Sequence, residues 1–234
     1  MGSSRFGSTG ASAQILAVCG MTRETDLLRG RDVLGIAGGG VRALLEERLR
    51  SRANEAIAGI ISIGIAGALS PSLRIGDCII ASEIVSEGRR YPADALWTQR
   101  LSGAIAEAHI GPTAGADTML TEPDQKRALY RTTNALAVDM ESHVAAQYAS
   151  DHDIPFAALR VVSDEAAHAL PPAALKAMKP DGGIDVPAVM GSLLRNPLQL
   201  PALIRTGRDS ELAFKLLFRC LDRLGPRLMG PDLG

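Results

Sequence analysis

The chain has 234 residues, of which 46% are hydrophobic, and a formal net charge of −1. This length suits a single α/β domain with a sizeable core, and the near-zero charge excludes a global electrostatic attraction to nucleic acid. The charge is uneven, because 18 basic and 22 acidic residues precede Met190, whereas 7 basic and 4 acidic residues follow from there. The C-terminal part is therefore a candidate for a partner of its own.

The chain has three cysteines, Cys19, Cys78 and Cys220, which are widely spaced and form no CxxC pair. This pattern predicts neither a disulfide framework nor a zinc site. No apolar run reaches the roughly 18 residues expected of a membrane-spanning helix. Residues 1–12 are rich in Gly and Ser and are expected to form a flexible lead. We therefore expect a cytoplasmic protein without a metal.

The first apolar run, residues 14–20, predicts a buried strand that is followed by Arg23 and Glu24. Loops at the carboxyl ends of parallel strands commonly hold ligands in α/β proteins, so both side chains become candidates. The alternative for Glu24 is an acid at a helix N-terminus, favoured there by the helix dipole.

The second strand, residues 33–37, runs into Gly38, Gly39 and Gly40 and then into a helix over 41–49 that contains Arg42. Three glycines before a helix N-terminus allow an anion to approach backbone N–H groups. The turn lacks the Lys-Ser/Thr ending of a P-loop. A tight strand-to-helix turn without a ligand explains the glycines equally well.

Residues 57–67 and 78–85 are almost continuously apolar, which predicts strands covered on both faces. Gly64 and Gly67 would allow a ligand to lie against the first of them. Further strands are predicted at 113–120, 136–140 and 156–163, and they alternate with helices at 94–109, 122–133 and 142–150. This alternation predicts an α/β fold with a mixed, mostly parallel central sheet flanked by helices.

From residue 185 onward, Pro187, Pro197 and Pro201 interrupt short apolar segments before a predicted helix over 210–224. That helix has one apolar face surrounded by basic residues. Such a helix can lie on a membrane surface, but it more often packs on the sheet. We divide the chain into the lead, an α/β core over 13–184 and a helical C-terminal extension over 185–234.

Two acidic positions close apolar runs later in the chain: residues 138–142 read VDMES, and residues 163–164 read SD. Taken singly, Glu141 is an acid at a helix N-terminus, Met140 is a core residue and Asp164 caps the end of a strand. Taken together, the two acidic positions predict a site for a sugar and a base.

The segments ISIGIAGALSPSLRIGDCIIASE, AVDMESHVAAQYASDHDIPF and ALRVVSDEA resemble the nucleoside phosphorylase and nucleosidase superfamily, over about residues 14–165. This superfamily contains purine nucleoside phosphorylases and methylthioadenosine/S-adenosylhomocysteine nucleosidases. The resemblance implies a nucleoside phosphorylase-like α/β/α fold and cleavage of an N-glycosidic bond. The GGG turn, SIGIAGALSP and the ending LPALIRTGRDSELAFKLLFRCLDRLGPRL most resemble the hopanoid-associated phosphorylases, which implies release of adenine from adenosylhopane in hopanoid side-chain biosynthesis.

The resemblance also implies a role for each acidic residue. Asp164 matches the general acid that protonates adenine N7, held by Ser163. Glu141 matches the acid that accepts the ribose hydroxyls, and Met140 lies against the sugar; two carboxylate oxygens suit a cis-diol. Glu24 matches the glutamate that positions the attacking water in nucleosidases.

Three departures from the family pattern bear on the substrate. Ser62 and Ile65 stand where bacterial purine nucleoside phosphorylases have Arg and Ser, which argues against ordinary phosphate binding. Met119 and Leu120 stand where nucleosidases have Phe and Ile, so the base would pack against a flexible thioether side chain instead of an aromatic ring. Gly67 is a further candidate for contact with the base. The remaining phosphate candidates are Arg23, Arg42 and Gly39, and they keep phosphorolysis open.

We therefore expect an enzyme that removes adenine from a 5′-substituted adenosine, with no cofactor and with phosphate or water as co-substrate. The alternatives are a methylthioadenosine/S-adenosylhomocysteine nucleosidase and a non-catalytic nucleoside- or lipid-binding protein. The expected partner is a small or lipid-linked nucleoside, and no nucleic acid is expected. The protein is expected to be a homo-oligomer whose C-terminus contacts the inner membrane surface peripherally.

Overall fold

The computed structural model describes residues 13–175, 179 and 181–231. The predicted flexible lead therefore lies outside the described residues. The strands are β1 (Gln14–Cys19), β2 (Leu34–Ala37), β3 (Ile57–Ala68), β4 (Cys78–Ser86), β5 (Arg89–Pro92), β6 (His109–Gly115), β7 (Ala137–Asp139) and β8 (Phe156–Asp164). The helices are α1 (Thr22–Asp26), α2 (Arg42–Arg50), α3 (Ala95–Ala104), α4 (Pro123–Thr133), α5 (Ser142–Asp151), α6 (Pro172–Leu175), α7 (Val186–Arg195) and α8 (Leu200–Arg223), with a 3₁₀ turn at Pro197–Gln199.

The strands form one sheet in the order β2-β1-β3-β7-β6-β4-β5, with β8 paired to both β3 and β4. Within the described residues, five of the eight strand pairings are parallel. The pairings of β3, β8, β4, β6 and β7 close a ring of strands. The predicted fold, a mixed and mostly parallel sheet flanked by helices, is confirmed.

The continuous apolar run of β3 is covered on both faces, as predicted. Ile61 and Ile63 belong to a core cluster with Trp97 of α3 and the buried residues of α8. Ile60 belongs to a second cluster with side chains of α2 and α5. Helices therefore cover the sheet on two sides, and the strand ends are free to carry a site.

The apolar face of the C-terminal helix packs on the sheet rather than on a membrane. Its buried side chains, Ala213, Phe214, Leu217 and Leu221, join the same core cluster as Ile61. Pro201 lies in the first turn of this helix, where a missing N–H costs no hydrogen bond. The predicted interruption at Pro201 is therefore wrong, and the helix is 24 residues long. No helix in the described residues is long and apolar enough to cross a membrane.

Three predicted boundaries are wrong here: the end of the third helix and both ends of the strand that follows it. The helix predicted over 94–109 ends at Ala104, and β6 already begins at His109 because its backbone pairs with Ile79 of β4. The strand predicted over 113–120 ends at Gly115. The residues that follow form a loop, and this loop contributes side chains to the site.

Candidate active site

One cavity of about 470 Å³ lies where β1, β3, β7 and β8 end. The carboxyl ends of parallel strands are the usual ligand position in α/β folds. The cavity brings together nine of the eleven predicted site residues: Arg23, Glu24, Gly67, Met119, Leu120, Met140, Glu141, Ser163 and Asp164. The other two, Arg42 and Gly39, do not line it.

Glu24 lies in the short helix that follows β1 and is buried at the inner end of the cavity. Its carboxylate accepts hydrogen bonds from three backbone N–H groups: Gly20 and Met21 donate to Oε2 at 2.7 and 2.8 Å, and Ile65 donates to Oε1 at 2.9 Å. Burial raises the pKa of Glu24, and these hydrogen bonds together with the charge of Arg160 oppose the increase. The side chain is thus held as an acceptor in a fixed orientation.

Glu141 is the residue directly before α5, and its side chain contacts the glycine turn that follows β2. Gly40 N–H donates to Glu141 Oε1 at 3.1 Å, and a Cβ added at Gly20 or Gly38 would lie 2.9 Å from the nearest atom of this side chain. The glycines therefore leave room for a close approach, and in this structure the group that approaches them is the carboxyl of Glu141. Burial raises its pKa to about 8, and the charges of Asp139 and Glu24 add to that increase.

Asp139 and Arg160 form a buried ion pair beneath the cavity, with 2.9 Å between Oδ2 and Nε. Asp139 Oδ1 accepts from the backbone N–H of Glu141 and of Ser142 at 2.9 and 2.7 Å, so it fixes the start of α5. Although burial alone raises it, the Arg160 guanidinium holds the pKa of Asp139 below its ordinary value. Arg160 also donates to Ser62 Oγ at 2.6 Å. Sequence analysis did not select Arg160, although a charged residue inside the apolar run of β8 was a signal for it.

Asp164 ends β8 and lies on Gly67, where an added Cβ would be 3.0 Å from Asp164 Oδ2. Ser163 Oγ is 3.0 Å from Asp164 Oδ1, in agreement with the predicted pairing, and 3.2 Å from the carbonyl oxygen of Ala66. Lys126 Nζ forms an ion pair with Asp164 Oδ2. This lysine could not be predicted from the sequence, because the other residues of its helix are mostly polar and are exposed or half-buried.

The cationic candidates are engaged elsewhere. Arg23 lines the cavity, but its guanidinium pairs with Glu211 at 2.6 Å and lies over the ring of Phe214 at 4.2 Å. Arg42 contacts Glu46, Asp117 and Gln147 outside the cavity lining, at 3.0, 3.4 and 3.3 Å respectively.

Gly39, the other candidate outside the lining, donates its N–H to the carbonyl of Gly20 at 2.8 Å. Within the described residues, no group of three or more His, Cys, Asp or Glu is arranged to hold a metal ion.

The cavity has an outer wall formed by the C-terminal part of the chain, and the individual residues of this wall were not predicted from the sequence. We use this name for the lining residues contributed by α7, α8 and the segment before α7: Ile184, Val189, Leu203, Thr206, Gly207, Ser210 and Phe214. The wall is mostly apolar and lies opposite the carboxyl-bearing strand ends. The site therefore combines four buried or half-buried carboxyls, those of Glu24, Asp139, Glu141 and Asp164, with an apolar compartment, an arrangement suited to proton transfer on an uncharged, largely apolar substrate.

Residues 41–180 match the family model of the phosphorylase superfamily, and the chain belongs to that superfamily. The family predicted from the sequence is thereby confirmed.

Among sequence relatives, a 5′-methylthioadenosine/S-adenosylhomocysteine nucleosidase of Staphylococcus haemolyticus is 29% identical over 127 residues, which cover 45% of this chain and 56% of that protein. A nucleosidase of the same name from Geobacillus thermodenitrificans is also 29% identical, over 54% of its length. The chain thus spans about half the length of the curated relatives that it matches.

Solved structures share the fold over most of the chain. The futalosine hydrolase of Helicobacter pylori has a TM-score of 0.70 at 14% identity, covering 91% of this chain and 97% of that one. A 5′-methylthioadenosine/S-adenosylhomocysteine nucleosidase of Neisseria meningitidis, in complex with methylthio-immucillin-A, has a TM-score of 0.68 at 16% identity, with coverages of 90% and 97%.

Proposed function

We propose that the chain cleaves the N-glycosidic bond of a 5′-substituted adenosine and releases adenine. The observation that carries the proposal is the convergence of Asp164, Glu141 and Glu24 on one cavity in a member of the phosphorylase superfamily. The names of its nucleosidase relatives support the same chemistry.

In the proposed reaction, the bond between ribose C1′ and adenine N9 breaks and its electron pair stays on the base. Asp164 gives a proton to N7, so adenine leaves as a neutral molecule. The sugar passes through an oxocarbenium-like transition state, as in other glycoside cleavages. Glu141 binds the ribose hydroxyls; with a pKa of about 8 its carboxyl carries a proton at neutral pH, so it can donate to one hydroxyl and accept from the other.

We propose water rather than phosphate as the nucleophile. The three N–H groups at the inner end of the cavity, which are the natural donors for an anion, already bind Glu24. Arg23 is paired with Glu211, and Arg42 lies outside the cavity lining. Glu24 in this position would accept a proton from the attacking water, and the oxygen of that water would bond to C1′.

The outer wall supports an apolar 5′ substituent, and we propose adenosylhopane as the substrate. Ile184, Val189 and Leu203 would contact the hydrocarbon where it leaves the cavity. The alternative is a methylthioadenosine/S-adenosylhomocysteine nucleosidase, which the names of the sequence relatives favour.

A peripheral contact with a membrane is part of this proposal, and its location is residues 184–208 rather than the buried face of α8. Large apolar side chains are exposed here, led by Leu194 at 80% and Leu198 at 90% exposure. Residues 186–208 contain three arginines and no acidic residue, which suits an anionic lipid surface. We expect the double variant Leu194→Ser/Leu198→Ser to sediment less with anionic vesicles than the wild type; equal sedimentation would contradict the contact.

The function is tested by measuring adenine release from adenosylhopane and from methylthioadenosine, each with and without phosphate. The proposal expects faster release from adenosylhopane and no dependence on phosphate. Faster release from methylthioadenosine would favour the alternative. Binding of either nucleoside without any release would identify a non-catalytic binding protein. Analytical ultracentrifugation of the same preparation tests the predicted homo-oligomer.

A further inference from the structure

Helix α4 has one buried side chain, and that side chain is a lysine. Lys126 is fully buried, whereas the other residues of the helix are exposed or half-buried. Burying an ammonium group is costly unless it is paired and fully hydrogen-bonded, and an apolar side chain would fill the same space at lower cost. The lysine at this position therefore calls for an explanation beyond packing.

The surroundings of Lys126 Nζ match the needs of an ammonium group. Its three N–H donors face three acceptors: Asp164 Oδ2, the carbonyl oxygen of Glu165 at 3.0 Å and the carbonyl oxygen of His168 at 3.2 Å. Two of these acceptors belong to the segment directly after β8. One side chain thus fixes both the carboxyl of Asp164 and the backbone that follows it.

Lys126 does not line the cavity, whereas Asp164 does. It therefore acts on a bound molecule indirectly, and its contact with the cavity lining is the carboxyl of Asp164. Other charged groups nearby are directed elsewhere: the Glu165 carboxylate lies 3.6 Å from His168 Nδ1 and 4.0 Å from Arg74 Nε, and all three side chains are more exposed than Lys126. Lys126 is thus a fully buried cationic proton donor in direct contact with Asp164 Oδ2.

We propose that Lys126 is the positioning residue for Asp164 and supplies it with the proton that goes to the base, an inference that rests on the proposed function. As the glycosidic bond breaks, Asp164 gives a proton to adenine N7, and a proton moves from Lys126 Nζ to Asp164 Oδ2. The ammonium becomes a neutral amine, and it regains its proton from solvent after the products leave. The electron pair of the broken bond ends on adenine, so the step needs no oxidant or reductant.

The test uses Lys126→Met, which keeps the length of the side chain, and Lys126→Ala, which leaves space for a small amine. Arg127→Met is the control, because it removes a cation from the exposed face of the same helix. We expect Lys126→Met to lower kcat for adenine release by about 10²- to 10³-fold, the range of general acid catalysis, with KM changed by less than about threefold. The alkaline limb of its kcat profile should move to lower pH, because the supply of protons from the ammonium is lost.

Rescue separates proton supply from a structural role. We expect propylamine to restore kcat of Lys126→Ala by at least about tenfold, with an alkaline limb that follows the amine used, and propanol to restore nothing. A wild-type kcat and pH profile in Lys126→Met would overturn the inference alone. A loss of kcat in Lys126→Met and Lys126→Ala that no amine restores would also overturn it. Thermal melting of both variants shows whether they are folded. Absence of adenine release by the wild type would overturn the proposed function as well.

Discussion

The two walls of the cavity differ in chemistry and in the part of the chain that forms them. The inner wall, at the strand ends, presents Glu141 and Asp164, and these residues lie within the part of the chain that matches the phosphorylase superfamily. The outer wall is apolar, and residues such as Leu203 and Phe214 lie beyond residue 180, where that match ends. Under the proposed function, the carboxyls of the inner wall carry out the reaction and the apolar outer wall selects the 5′ substituent. Substitutions on the two walls should therefore change different kinetic parameters.

The largest effect is expected for Asp164→Asn on the inner wall. The amide keeps the shape of the side chain but cannot give a proton to the base, so kcat for adenine release should fall by about 10³-fold with little change in KM. The measurement is the initial rate of adenine release under saturating substrate. Asp222→Asn, which removes an exposed carboxylate from α8, serves as the control and should keep wild-type kinetics. Activity of Asp164→Asn within about tenfold of the wild type would exclude Asp164 as the acid.

A somewhat smaller effect is expected for Glu24→Gln. The substitution places an NH₂ group among backbone donors that now bind a carboxylate, and it removes the acceptor for the proton of water. We expect kcat to fall by about 10²-fold, and phosphate should not restore it. A variant that phosphate reactivates would show instead that an anion can take the place of the Glu24 carboxylate, and phosphorolysis would then replace hydrolysis in the proposal.

On the outer wall, Leu203→Asp should affect binding and leave the chemistry unchanged. Leu203 is half-buried in the lining, and a charge there should raise KM for an adenosine with a long apolar substituent by about tenfold, the usual range for one disrupted apolar contact. The kcat value and the KM for methylthioadenosine should change by less than about threefold. Leu96→Asp is the matched control, because Leu96 is an exposed leucine of α3 that lies outside both the cavity lining and residues 184–208. An equal loss for both substrates would contradict the division between the walls.

How far the sequence predicts the molecule also differs between the walls. Glu141 and Asp164 could be found because each ends an apolar run and belongs to a spaced motif. The individual residues of the outer wall could not be identified, since their position depends on α8 running unbroken from Leu200 to Arg223, and Pro201 suggested an interruption. A proline favours a helix start as readily as it ends one, so local sequence does not decide between these outcomes.

Lys126 shows a second limit. In the sequence it is one of several polar residues in a helix, and only the packing of that helix against the end of β8 makes it a buried partner of Asp164. Strand boundaries are likewise set by contacts between segments that are far apart in the chain. Strand β6 begins at His109 because β4 provides a parallel partner there. Arg160 was more accessible to sequence reasoning, because a charge inside the apolar strand β8 needs a buried counter-charge.

The smallest expected effect is on the free energy of unfolding, through the buried carboxyl of Glu141 on the inner wall. The pKa of Glu141 is about 8 in the folded chain, above its ordinary value of 4.5, so between these two pH values the folded chain holds the proton more tightly than the unfolded chain does. The contribution of Glu141 to the free energy of unfolding is therefore fully present below pH 4.5 and decreases as the pH rises through 8, by up to about 1.4 kcal/mol per pH unit. Glu141→Gln cannot titrate and still offers Oε1 to the N–H of Gly40, so its stability should depend less on pH than that of the wild type. Urea unfolding at several pH values from 5 to 9 measures the difference, with the exposed Glu55→Gln as the control. Parallel profiles for the wild type and Glu141→Gln would mean that the folded chain carries Glu141 ionised, and the ribose hydroxyls would then meet a carboxylate that only accepts hydrogen bonds.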